Sequence, residues 1–336
     1  MLISKISLNG LFISSQLSMT TISTYEGCTI LKESLTIAAV QTPLRSESIA
    51  PLEAARVAER MMRDAAKEVN ELRGTSSNEN QNQIDLFILP ELAPLGYSEY
   101  TFSEFLMSST MSDIDLLVQI QKDIESVFVK VARDLNAFVS YGAVTIKSDY
   151  DDIKQRIDDV NIDHAFKISQ VVLNPEGEQL SRYDKIHLCN YGDCAETRFF
   201  NPGTIDNICS FKCREFNVGI IICADIRDPM LCRSLAGSKH NVDLILQPAA
   251  FSRDLSFRTW KSFAETRAVE NSVYFCGINY SGENYGESIF IRPWVDEENE
   301  PKILGIDSSV LIGKVERNYL DKIRNEMPFH KRLLNK

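Results

Sequence analysis

The chain predicts a single mixed α/β domain, on three observations. Apolar runs of strand length recur between residues 35 and 294, and segments with apolar residues three or four apart fall between them. No internal repeat and no Gly/Pro-rich linker divides the sequence. With 336 residues, 44% of them hydrophobic and 25% charged, the chain has the composition of a globular protein with a sizeable core.

The elements follow in order. LTIAAVQ (residues 35–41) is largely apolar and predicts a buried strand. Pro51 opens a helix, since proline is tolerated in a first turn; Leu52, Ala55, Ala58, Met62, Ala65, Val69 and Leu72 share one face, and Gly74 can end it. After the polar loop TSSNENQNQ, the segment IDLFILP (84–90) predicts a second buried strand with Glu91 at its carboxyl end. Ser112 and Asp115 form a capping-box-like start for a second long helix, which carries Ile114, Leu117, Ile124, Val131 and Leu135 on one side. AFVSYGAVTI (137–146) predicts a third strand. Residues 147–165 are Asp-rich and aperiodic, which predicts an exposed insertion.

FKISQVVLN and EQLSRYD flank the turn PEG and predict a hairpin, with Lys185 directly after it. A loop ending in NPG (201–203) leads to a further strand pair, the second of which, VGIII, ends in Cys223. Pro229 begins a helix, DLILQPAAF (243–251) is a strand and FRTWKSFAETRAVEN a helix. VYFCGINY (273–280) and ESIFIRPW (287–294) complete the predicted core. Residues 316–336 are expected to be a C-terminal tail. Residues 1–34 are rich in Ser, Thr and apolar residues, hold Lys5 as their one cation before Lys32 and lack the arginines of a transit peptide. They predict a poorly defined extension, with organelle targeting as the alternative.

Charge and cysteine usage narrow the function. A net charge of -11 opposes nucleic acid as the main partner, because phosphate binding needs clustered Lys and Arg. No apolar run reaches membrane-span length. Eight cysteines in a large acidic chain predict reduced thiols and a cytoplasmic protein, not a disulfide framework.

Glu91, Lys185 and Cys223 each follow an apolar strand directly, and the carboxyl ends of strands are where α/β sheets bind ligands. Singly, each has a structural explanation: a solvated loop carboxylate, a surface charge, a buried small hydrophobe. Together their chemistry is matched. A thiol with a pKa near ~8.5 needs a base or a cation to become a nucleophile, and an attacked carbonyl oxygen needs fixed donors. Glu91 supplies a base; the Lys185 ammonium and the backbone N–H of Ala224 supply donors.

Each of these residues also sits in a local signature. LFILPELAPLGY, RYDKIHL and VGIIICADIRDPMLCRSLA, followed by WKSFAETRAVENSVYFCGINYSG and YGESIF, resemble in order the motifs of the nitrilase superfamily of carbon–nitrogen hydrolases. The resemblance runs from about residue 35 to 315. It implies a four-layer α-β-β-α sandwich in which Glu91 is the general base, Lys185 the oxyanion stabiliser and Cys223 the nucleophile. ETRFFNPG matches a further family position and makes Glu196 a candidate for positioning Lys185 and the substrate. No metal or organic cofactor is implied, and members pair as homodimers or higher homo-oligomers through the helices near the cysteine, here those from Pro229 and around Trp260.

The expected function is thioester-forming hydrolysis of a small linear amide or N-carbamoyl compound. A nitrilase acting on a C≡N group, or a catalytically silent binding protein on the same fold, is the alternative. Ala224, Asp228 and Met230 depart from the family's residues beside the nucleophile. Arg227 is a candidate for holding a substrate carboxylate, or is paired with a neighbouring acid; Tyr97 and Phe251 are candidates for the pocket wall, or in the case of Phe251 for plain core packing. Two rival chemistries exist: a cysteine–histidine hydrolase using His187 or His240, and a zinc module built on Cys189, Cys194, Cys209 and Cys213.

Overall fold

A computed structural model describes residues 33–72, 83–98, 102, 111–146, 166–191, 194–327 and 329. The described residues fall within one compact unit, Lys32–Lys336. Nearly all of the predicted extension over 1–34, the insertion over 147–165 and the predicted helix stop at Gly74 lie outside them.

The strands are β1 (Ser34–Gln41), β2 (Leu86–Ile88), β3 (Phe138–Ile146), β4 (Phe166–Leu173), β5 (Gln179–Asp184), β6 (Ser210–Cys213), β7 (Phe216–Ile220), β8 (Leu244–Pro248), β9 (Tyr274–Ile278), β10 (Ile289–Ile291), β11 (Lys302–Ile303) and β12 (Ser309–Glu316). The helices are α1 (Pro51–Leu72), α2 (Met111–Leu135), α3 (Pro229–Ala236), α4 (Arg258–Asn271) and α5 (Arg317–Glu326). Two six-stranded sheets result, in the orders β12-β1-β2-β3-β4-β5 and β11-β10-β9-β8-β7-β6.

Each sheet has a parallel trio at its centre, β1-β2-β3 in one and β7-β8-β9 in the other, with antiparallel strands outside. Parallel strands must be covered on both faces, which is why β1 and β8 read as largely apolar runs: Leu35–Val40 and Leu244–Leu246 are buried. The sheets meet through β1 on β9 and β10 on β12; α1 and α2 pack on the first sheet and α4 on the second, giving the α-β-β-α sandwich. On α1 the apolar stripe faces inward as its spacing predicts, with Ala55, Ala58, Met62, Ala65 and Val69 buried, whereas Leu72 in the last turn is 86% exposed.

Two sequence expectations shift. Helix α2 is already running at Met111, so Ser112 lies inside it and not at its start. The predicted core closes at 294, but β12 pairs with β1 over eight antiparallel positions and α5 follows it. Leu320 and Ile323 of α5 are buried, and Arg317 and Arg324 both bond the Asp243 carboxylate at 2.8–3.0 Å. A helix of alternating charge reads as a solvated tail until its acidic partner, some eighty residues upstream, is seen.

Candidate active site

Glu91 lies in the turn after β2. The chain bends sharply there, with Leu92 in the left-handed region at φ 55°, and the turn lies directly on β3 at Gly142, where any Cβ would run into the Leu92 backbone. The Gly142 N–H donates to the Ala93 carbonyl at 3.0 Å. Lys185 leaves β5 with its carbonyl accepting from Gly203 N at 2.7 Å, and here too only glycine allows the NPG turn to reach the Asp184 backbone. Glu196 opens a short 3₁₀ turn, Glu196–Arg198.

These three side chains meet with no exposure to solvent. Lys185 Nζ donates to Glu91 Oε1 at 2.7 Å and to Glu196 Oε1 at 2.8 Å. The other carboxylate oxygens are also occupied: Glu91 Oε2 accepts from Ala250 N at 3.1 Å, and Glu196 Oε2 from Cys189 N at 2.8 Å. The Tyr97 hydroxyl donates to Glu196 Oε1, and the Tyr280 hydroxyl holds the Glu91 carbonyl at 2.7 Å. An ammonium carries three donors, so Lys185 keeps one beyond its two carboxylates.

Burial sets the proton affinities. Loss of solvent pushes the Glu91 carboxyl up to about 7, against the opposing pull of Lys185. Burial also disfavours the Lys185 cation, yet the Glu196 and Glu91 carboxylates outweigh it and hold the ammonium well above its ordinary range. The Cys223 thiol is raised well above its usual value by burial and by Glu91, so it stays protonated until a base takes the proton.

Cys223 enters from the second sheet. β7 runs out at Ile220, and Cys223 begins the 3₁₀ turn Cys223–Arg227 at φ 45°, a conformation rare for a residue with a Cβ. Such a conformation costs about 1–3 kcal/mol and persists only when its surroundings hold it. Two buried groups do so. Asp225 accepts from Ile222 N at 2.9 Å and from the Tyr183 hydroxyl at 2.8 Å, and its second oxygen takes His187 N at 2.7 Å, tying the turn to the strand that delivers Lys185. Gln247 donates to the Cys223 carbonyl at 3.1 Å and is itself held by Trp260 Nε1 at 2.9 Å. At the start of this turn the Ala224 N–H has no intrahelical partner.

The remaining candidates have definite places. Tyr97 braces Glu196 and is not merely a wall. Phe251 is buried, stacked on Trp260 at 5.5 Å, and its ring lies 5.6 Å from the Arg227 guanidinium. Arg227 also lies against the rings of Tyr191 and Phe263 and donates from Nε to the Tyr191 hydroxyl at 3.0 Å; its buried Nη2 has no hydrogen-bond partner among the described residues. The expected alternative, pairing with a neighbouring acid, is not found among the described residues.

The two rival chemistries lose their residues. His187 bonds Asp228 at 3.0 Å, and His240 bonds Ser210 at 3.2 Å, so both rings are engaged away from the thiol. Among the described residues no cluster of three or more metal-ligating side chains occurs. Cys209 instead contacts the Arg182 carbonyl at 3.4 Å and Cys213 is buried within β6. Gln247, Asp225, Tyr183 and Tyr280 were not singled out from sequence; only the position of Asp225, two residues after Cys223, marked any of them.

Residues 36–323 match a family model described as carbon-nitrogen hydrolase. Over 172 residues the chain is 26% identical to the deaminated glutathione amidase of Synechocystis sp. (strain PCC 6803 / GT-S), covering 47% of this chain and 60% of that protein. Over 173 residues it is 27% identical to omega-amidase NIT2 of Danio rerio, covering 49% of this chain and 61% of that protein. The match thus spans about 60% of the length of these curated relatives. Among solved structures, Saccharomyces cerevisiae Nit3, a member of branch 10 of the nitrilase superfamily, shares the fold with a TM-score of 0.65 at 18% identity, covering 89% of this chain and 96% of that one.

Proposed function

The chain belongs to the carbon–nitrogen hydrolase family, and from that premise we propose that it is a cysteine-dependent amidase acting on a small linear amide that carries a carboxylate. The observation that carries this reading is the buried Glu91–Lys185–Glu196 network, in which one ammonium is held between two carboxylates with a donor to spare.

Glu91 takes the Cys223 proton as the sulfur attacks the amide carbon. A carboxylate that is substantially ionised near pH 7, facing a thiol that burial keeps protonated, is suited to that transfer, because the base is free to accept the proton that the sulfur still holds. Charge developing on the carbonyl oxygen is received by the third N–H of Lys185 and by Ala224 N–H; one such donor is worth about 3 kcal/mol in the transition state. The C–N bond breaks, Glu91 returns the proton to the nitrogen, and ammonia or an amine leaves a thioester on Cys223. Glu91 then activates water to release the acid. Glu196 holds Lys185 throughout, and Tyr97 holds Glu196. None of these steps needs a metal or an organic cofactor.

Amides are favoured over nitriles by the relatives, one an omega-amidase and one a deaminated glutathione amidase. The carboxylate requirement rests on Arg227, whose buried Nη2 lacks a hydrogen-bond partner among the described residues. A planar guanidinium held on aromatic rings suits a substrate carboxylate. We place the surface that would pair two copies on the outer face of α3 and α4, where Arg233, Glu265 and Glu270 rim a groove floored by Val269 and Val295.

The test compares succinamic acid with uncharged butyramide. Wild type should favour the acid roughly a hundredfold in kcat/KM, an Arg227→Met variant should lose that preference while keeping butyramide turnover, and intact-mass analysis should show an acyl adduct in wild type but not in Cys223→Ala. Equal rates on both amides would remove the carboxylate requirement, and undiminished turnover by Cys223→Ala would remove the mechanism.

A further inference from the structure

Two thiols outside the proposed chemistry lie against the residues that brace it. Cys189 and Cys194 flank the turn that leads into Glu196, and both reach the Tyr191 carbonyl, Cys189 through its thiol and Cys194 through its backbone N–H. The loop is drawn closed at several points. Glu196 N donates to the Cys189 carbonyl at 3.1 Å, and the Tyr191 carbonyl accepts both from Cys194 N at 3.2 Å and from Cys189 Sγ at 4.0 Å. The Tyr97 hydroxyl lies 3.7 Å from Cys194 Sγ while donating to Glu196.

We infer that Cys189 and Cys194 form a peroxide-oxidisable dithiol, and that its disulfide switches the site off by withdrawing the groups that brace Glu196 on Lys185. The division of labour follows from the surroundings. Cys194 is partly exposed, and the neighbouring Cys189 side chain holds its thiol below the ordinary range. Cys189 is buried and keeps its proton, raised by the Cys194 side chain and by desolvation. That asymmetry suits an attacking sulfur beside a resolving one. Cys223, by contrast, is 6% exposed and protonated.

In the first step the Cys194 thiolate attacks hydrogen peroxide. An S–O bond forms, the O–O bond breaks, sulfur loses two electrons and hydroxide departs. In the second step the Cys189 sulfur attacks the sulfenic sulfur; an S–S bond forms, the S–O bond breaks, and hydroxide leaves with the thiol proton as water. The net change is two thiols and one peroxide to one disulfide and two waters. A bonded pair must draw Cys194 Sγ away from Tyr97 and shift Cys189, whose backbone N–H supports Glu196 Oε2.

The dithiol itself is independent of the proposed amidase, whereas the switching rests on it. The experiment treats the full chain with equimolar hydrogen peroxide, then follows intact mass, unreduced peptide maps and amide turnover together. A loss of about 2 Da, mapping to a Cys189–Cys194 link and reversed by dithiothreitol, is expected, with turnover falling and returning in step. Cys194→Ser should slow peroxide inactivation roughly tenfold, and Cys189→Ser should stop at a dimedone-trappable sulfenic acid on Cys194. A link to Cys223, or no link when Cys223 is oxidised, overturns the dithiol; a formed link with undiminished turnover overturns the switch. Should no amide be turned over at all, the proposed function fails while the mass map still judges the dithiol.

Discussion

The two sheets bring their contributions to the site in different ways. From the first come Glu91 and Lys185, which with Glu196 fix one another through charge, every carboxylate oxygen being occupied. From the second comes Cys223, whose place is fixed by its backbone: a left-handed φ held by Asp225 on one side and Gln247 on the other. On the charged side the side chains are the structure, and removing one leaves its partners buried and uncompensated. On the thiol side the turn is the structure, and the sulfur can be removed while the turn remains.

Substituting the centre of each side should therefore give very unequal stability losses with the same loss of turnover. Lys185→Met leaves two carboxylates facing each other without a cation, and breaking a buried pair costs about 3–5 kcal/mol. Cys223→Ala deletes one buried sulfur and should cost roughly 1 kcal/mol. Thermal unfolding of the two variants reads the difference directly. Comparable Tm losses would mean that the network is not what holds the first side together.

This asymmetry explains what was legible in the sequence. The strands ending in Glu91 and Cys223 were visible as apolar runs, as buried parallel strands must be, whereas the edge strand QLSRYD before Lys185 was visible only as the second half of a hairpin around PEG. Glu196 was marked only by the family resemblance of ETRFFNPG, whereas Glu91 and Lys185 were visible because their chemistry resides in residue types. Gln247 was not, because it sits inside the apolar run LILQP, where one amide reads as an interruption and not as a ligand for a carbonyl twenty-four residues away. Tyr280 was hidden likewise, its partner being the Glu91 main chain. β12 escaped for another reason: Leu311 and Val315 are buried but Lys314 is exposed, so as an edge strand it lacks the continuous apolar signal.

A medium effect is expected from pH. If Glu91 is the base, its ionised fraction limits the reaction, so kcat/KM should fall about tenfold per unit below pH 7 and level off above it. The same raised value acts on stability in the reverse sense. The unfolded carboxyl ionises near its ordinary 4.5, so the contribution of protonated Glu91 to stability is complete below that pH and is lost as pH rises through about 7. The site is thus most active where this residue helps the fold least. Glu91→Gln should abolish the acidic limb along with turnover and flatten the stability profile between pH 4.5 and 7. An acidic limb centred near 4.5 would show that burial does not raise the carboxyl as the geometry requires.

The smallest effect tests the backbone side. Gln247 reaches Cys223 only through the carbonyl, and Trp260 fixes its amide, so Gln247 is a positioning residue. Gln247→Leu keeps the volume close but leaves the Cys223 carbonyl without its donor and the Trp260 N–H without its acceptor, each a lost hydrogen bond of about 1 kcal/mol. A turn held by Asp225 alone would let the sulfur wander from the attack trajectory. The expected signature is a kcat reduced roughly tenfold with KM little changed, since the substrate contacts proposed for Arg227 are untouched. Restoring a donor and acceptor with Gln247→Asn should recover little, because the shorter side chain cannot span Cys223 and Trp260 together. A Gln247→Leu variant that loses stability without losing kcat would place this amide in the core and leave Asp225 as the sole support of the nucleophile.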